Sequence, residues 1–154
     1  FLTQATAALD ADRINAPDAT SLLTAAVATH TGNFLEDDPY QDWAIELADE
    51  VHATHNALLR ALTRRMRQTG DTDEVVRYTL RLLQQDHYDE QAHLNLVAVL
   101  LAAGRLGQAH HHYQNYARRM TEIGIQPRPL PNMPTNRRKQ HGTIAPANHR
   151  GAAC

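Results

Sequence analysis

A chain of 154 residues, 42% hydrophobic but only 5% aromatic and with a net charge of −2, is long enough to bury one core and lacks the basic excess of a nucleic-acid-binding domain. Its one cysteine, Cys154, excludes an internal disulfide framework and fits a reducing, cytoplasmic setting. No apolar run approaches the roughly 20 residues of a membrane span, and no signal-peptide pattern opens the chain.

The apolar residues are mostly Ala and Leu, which favours helix over sheet. Residues 1–11 and 16–30 predict a first helix pair, the second helix capped by Asp18 with Pro17 just outside it. Gly32 and Pro39 make 31–40 a loop. From 41 to 69 neither Gly nor Pro intervenes, so one long helix, or two joined by a bend, is expected, with Trp43, Leu47, Val51, Leu58, Leu62 and Met66 on its inner stripe. Gly70 ends it, and further helices are predicted over 72–85, 88–103 and 105–121, the last two separated by Gly104. From Leu94 onward the helix over 88–103 is apolar in nearly every direction, which places it buried at the centre, between 72–85 and 105–121. Beyond residue 126 the pattern stops. Residues 127–154 hold five of the seven prolines and several bases, and predict a flexible tail after a helical domain over 1–126.

An internal repeat organises the helices. Gly70 and Gly104 lie 34 residues apart; five residues after each comes a small apolar residue, Val75 or Ala109, and eight before each a leucine, Leu62 or Leu96. With Tyr113 as the large residue of the second unit, this is the period of tetratricopeptide repeats, whose helix pairs bury their apolar faces by stacking. The expected fold is therefore all-α: a tetratricopeptide-like, right-handed array of antiparallel helix pairs, with 1–30 as a degenerate capping unit and an extended C-terminal tail.

Three consecutive histidines, His110, His111 and His112, invite a metal reading. On the helix over 105–121, however, Leu106, Ala109, Tyr113, Tyr116, Ala117 and Met120 fall within one arc and must face the core, so His111 points to solvent and the other two flank the stripe. Neighbouring helical residues diverge by about 100°, and three in a row do not converge on one ion. His52 and His55 share a face but lack a third ligand and an HExxH pattern. There is no GxSxG, and the seven glycines are scattered singly. No catalytic, metal-binding or cofactor-binding residue is expected, and the chain does not read as an enzyme. Arg60, Arg64 and Arg67, at i, i+4 and i+7 on the outer side of the long helix, are either a solvated face or, with His111, candidate partner contacts; a protein partner suits them better than nucleic acid, because no aromatics interleave with them.

The charges are unevenly placed. Residues 1–59 carry ten acids and Arg13 alone, whereas residues 60–154 carry seven acids and fourteen bases, which fits either solvated helix faces or a contact between opposite patches. The stretches GNFLEDDPYQDWA and LLQQDHYDEQAHLNLVAVLLAAGRLGQAHHHYQNYARRMTEIGIQP resemble the bacterial transcriptional activator domain, which occurs in antibiotic-pathway regulators of actinomycetes. The resemblance spans roughly residues 1–127. Gly32, Leu35 and Trp43 carry it at the start, Glu90, His93 and Leu96 on the apolar helix, Gly104, Ala109 and Tyr113 on the next, and Glu122, Gly124 and Pro127 at the close. Asp86-His87 stands where the family usually has Asp-Pro, and the long helix carries no base before Arg60. The resemblance implies a regulatory, activator-type domain that works in the cytoplasm through a protein partner, by self-association or on the transcription machinery. It also implies that DNA is reached only through an N-terminal winged helix-turn-helix, for which these residues offer no strands or basic recognition helix. A chain opening on Phe1 is expected to be a piece of such a protein. The alternative is a generic tetratricopeptide scaffold from a signalling ATPase or a cell-envelope protein.

Overall fold

The computed structural model describes residues 1–30 and 42–130. They form six helices, α1 (Leu2–Arg13), α2 (Ala19–Ala28), α3 (Asp42–Thr69), α4 (Thr72–Gln85), α5 (Glu90–Ala102) and α6 (Leu106–Glu122), with no strand among them. The expected loop over 31–40, with Gly32 and Leu35, and the residues from 131 on, with Cys154, lie outside the described residues.

One local device recurs at the end of each pair's first helix. After α1, α3 and α5 the chain turns through a left-handed residue: Asn15 (φ 54°), Gly70 (φ 78°) and Gly104 (φ 73°). The next amide then reaches back five residues, Ala16 N to Ala11 O at 2.8 Å, Asp71 N to Met66 O at 3.0 Å and Arg105 N to Leu100 O at 2.9 Å. This closure satisfies carbonyls that the helix end leaves open, and glycine adopts it without a Cβ clash. Asn15 is thus the first pair's counterpart of the two glycines. Side-chain caps open the helices that follow two of the loops: Asp71 accepts from Glu74 N at 3.2 Å and Asp89 from Ala92 N at 3.0 Å. Asp18 occupies the cap position of α2, but its side chain makes no capping bond, contrary to expectation.

Three helix hairpins, α1–α2, α3–α4 and α5–α6, stack in chain order. Helix α3 packs on α1 and α2 as well as on α4, while α5 touches only α4 and α6. The centre of the array is therefore α3 and not α5. Leu58, Leu59 and Leu62 of α3 are fully buried, each stabilising by roughly 1.5–3 kcal/mol relative to exposure. On α5, Ala92, Leu96, Val97 and Leu100 are buried, but Leu94, Ala98, Val99 and Leu101 remain half-buried, because one side of that helix meets no neighbour. The repeat positions Leu62, Val75, Leu96 and Ala109 all lie in the core, whereas Tyr113 is half-buried and Tyr116 is the fully buried tyrosine. Trp43 is 55% exposed and does not belong to the inner stripe of α3. Ala44 takes that place, since a residue seven before Val51 aligns with it, whereas one eight before lies about 80° away. Leu106, expected in the core arc of α6, is exposed at the first turn of that helix.

Candidate functional site

Because α3 and α5 do not pack on each other, a groove of about 480 Å³ opens between them above α4. Arg60, Arg64 and Arg67 of α3 form one wall, Asn95 stands on α5, and Leu82 and Ala92 supply apolar floor. The arginine stripe expected on the outer side of the long helix is exposed, and its three members line one wall of this open groove. Its members differ in what they already hold. Arg60 pairs with Asp89, the residue that also caps α5, and so ties the third hairpin to the second. Arg64 and Arg65 both pair with Asp12 at the end of α1, tying the first hairpin to the second. Asp12 and Asp89 are nearly covered, with side chains 9% and 10% exposed, so these pairs work at lower dielectric than solvated surface pairs do. Arg67 has no partner among the described residues. The roles of Asp12, Arg65 and Asp89 escape helical periodicity, which orders residues along one helix but not across three.

At the far end, α6 carries a bonded network around the buried Tyr116. Its hydroxyl donates to Glu90 Oε1 at 2.9 Å and accepts from Arg128 N at 2.9 Å. Tyr113 donates to Arg128 O at 2.8 Å, and the Arg128 guanidinium approaches Glu90 at 3.3 Å. Burial, and then the Glu90 bond and charge, push the Tyr116 hydroxyl up, partly offset by the Arg128 amide. The segment expected to be free tail from residue 127 is thus anchored at Arg128. NRRK, at 136–139, lies outside the described residues. In the histidine triplet His110 and His111 are exposed, while His112 is half-buried, its pKa lowered by burial and then by His111 and His93. His93 is buried but satisfied, its Nε2 lying 2.8 Å from the His87 carbonyl oxygen.

At the near end, His52 and His55 of α3 are joined by His30, which follows α2. The His30 and His55 rings meet edge-on at 4.0 Å between centroids, His52 stands 6.5 Å from His30, and Phe1 covers both His30 and His55. His55 is 6% exposed, and neither ring nitrogen has a hydrogen-bond partner. Burial, then the charges that His30, His52 and Arg81 carry, lower its pKa to about 4. His30 is lowered likewise, by burial and by His52. Among the described residues no group of three or more His, Cys, Asp or Glu is arranged to hold a metal ion, and no helix is long and apolar enough to cross a membrane.

The profile of one family, the bacterial transcriptional activator domain, matches residues 1–131. No curated protein and no solved structure matches the chain.

Proposed function

The chain belongs to the bacterial transcriptional activator domain family, and from that membership we propose that its helical array is the protein-interaction part of a cytoplasmic transcription regulator, with DNA reading left to another unit. The groove between α3 and α5 is the surface that receives the partner. The observation that carries this reading is the state of its cations: Arg60 and Arg64 are held in place by Asp89 and Asp12, and Arg67 stands beside them uncommitted, above apolar floor. Such a wall suits an acidic segment of a partner protein, either a second copy or a subunit of the transcription machinery, because complementary charge steers and orients the encounter.

The test compares two bindings by residues 1–154. In gel shifts at near-physiological salt, promoter and scrambled DNA should bind equally weakly, since phosphate contacts carry no sequence information. Self-association by sedimentation, or capture of purified bacterial RNA polymerase, should be detectable and should weaken about tenfold or more in Arg67→Glu. Preference for promoter DNA by about tenfold, or partner binding indifferent to Arg67→Glu, defeats the proposal.

A further inference from the structure

Between the end of α2, the middle of α3 and the last turns of α4 lies a second, open pocket of about 300 Å³, lined by Val27, His30, His55 and the exposed side chains of Arg81, Gln84 and Gln85. Its polar side chains share a property that the arginine groove lacks: none of the five is engaged in a hydrogen bond or an ion pair with any described residue. In the groove, by contrast, Asp89 and Asp12 already answer two of the three cations. His55 makes the point most sharply, being more than nine-tenths buried with both Nδ1 and Nε2 unpartnered. Leaving a buried polar group unpaired costs on the order of 1–3 kcal/mol, and native proteins rarely carry one without a use. The charged groups acting on His55 are His30, His52 and Arg81, all of one sign when protonated, with no carboxylate among them.

We propose that this cavity binds a small oxyanion, held by the Arg81 guanidinium and the imidazoles of His30 and His55, with the Gln84 and Gln85 amides completing the donor set. An anion there supplies the missing acceptor to His55 and the missing counter-charge to Arg81. It also turns the imidazoles from mutually repelling neighbours into ligands, so that proton uptake accompanies binding and affinity rises as pH falls. Because the lining comes from α2, α3 and α4, occupancy joins the first hairpin to the second. The site is separate from the groove assigned to a protein partner, and its test stands or falls independently of that reading.

Sulfate and acetate are suitable probes, since both keep a constant charge while histidine titrates. The side-chain nitrogen resonances of His30 and His55 are followed by NMR as each anion is added at constant ionic strength, at about pH 6 and about pH 7.5. Expected are saturable shifts of these two histidines, with affinity stronger at the lower pH by about threefold or more. Arg81→Gln, at an exposed position, should weaken binding about tenfold, whereas Arg118→Gln, an equal loss of charge at an exposed position on α6, should not. Saturation by sulfate alone assigns a tetrahedral dianion and saturation by acetate alone a carboxylate, and either supports the site. Absence of saturable shifts with both anions, equal affinity at the two pH values, or undiminished binding in Arg81→Gln overturns it.

Discussion

At the α5–α6 end, Tyr116 is fully buried and both capacities of its hydroxyl are used, one on Glu90 and one on the Arg128 amide. At the α2–α3 end, His55 is buried almost as deeply, and neither ring nitrogen has a partner. Each site holds a polar ring between helices, yet one is a closed network and the other an open one. A satisfied network rigidifies its surroundings, whereas an unsatisfied group keeps a desolvation cost that solution conditions can change. The C-terminal hairpin is accordingly built to be held, and the joint between the first two hairpins to respond.

The largest effect tests the closed side. Tyr116→Ala removes a core ring and leaves Glu90 and the Arg128 amide without their shared partner, so unfolding free energy should fall by about 3–5 kcal/mol in urea titrations. A loss below about 1 kcal/mol would mean that the ring's burial and bonds contribute little to the hairpin.

Next comes the open side. His55 has its pKa lowered to about 4 from 6.5, so between those values the unfolded chain binds a proton that the folded chain refuses. Its contribution is fully present above about pH 6.5 and is lost as pH falls toward 4, amounting to about 3 kcal/mol in all. His30 is shifted in the same direction and adds to the same slope. Denaturation midpoints measured from about pH 7 to about pH 4.5 should fall steeply, and His55→Leu should flatten the curve while stabilising at neutral pH by about 1 kcal/mol. A slope indifferent to His55→Leu would move the source of the pH response elsewhere.

Helix ends, the 34-residue period and the burial of Leu62, Val75, Leu96 and Ala109 are legible in the sequence, because each depends on spacing along one helix or on a glycine forced into a left-handed turn. Trp43 and Tyr113 mark where that logic stops. Which of two neighbouring positions faces a partner helix depends on how that helix is placed: the stripe drawn through Trp43 misses Ala44 by one position, and the arc on α6 that rightly holds Tyr116 and Met120 also takes in Tyr113, which is only half-buried. The sites were harder still. Asp12, Asp89 and His30 come from different hairpins than the residues they meet, and only stacking brings them to α3. Arg60, Arg64 and Arg67 are legible as an exposed row, but the groove that runs beside the row exists only because α5 stands clear of α3.

A smaller effect separates the two tyrosines of the closed end. Tyr113 is half-buried and makes one bond, to the Arg128 carbonyl, so Tyr113→Phe should cost about 1 kcal/mol or less and chiefly loosen the segment after α6. Hydrogen exchange at the amides of Ile125, Gln126 and Arg128 is the readout that distinguishes this anchoring from a general loss of stability. Unchanged protection there would show that Tyr116 and Glu90 hold the segment without Tyr113.

The smallest expected effect is the one that decides whether burial, rather than the abundance of histidine, creates the contrast. His111 sits on α6 beside two other histidines and is exposed, while its neighbour His112 is half-buried. Replacing it with Ala removes no core contact, and surface changes of this kind stay within about 0.5 kcal/mol. The steep part of the pH response should survive, since the His55 ring and the His30, His52 and Arg81 side chains that act on it are untouched. Zinc uptake should likewise be the same in His111→Ala, because consecutive helical side chains diverge by about 100° and the triplet does not gather around one ion. If removing His111 flattened the pH curve as much as His55→Leu, the response would belong to the ten histidines at large, and the open joint between the first two hairpins would lose its special standing. With only His55→Leu acting, the response is localised to one unpartnered ring and the His30, His52 and Arg81 side chains around it.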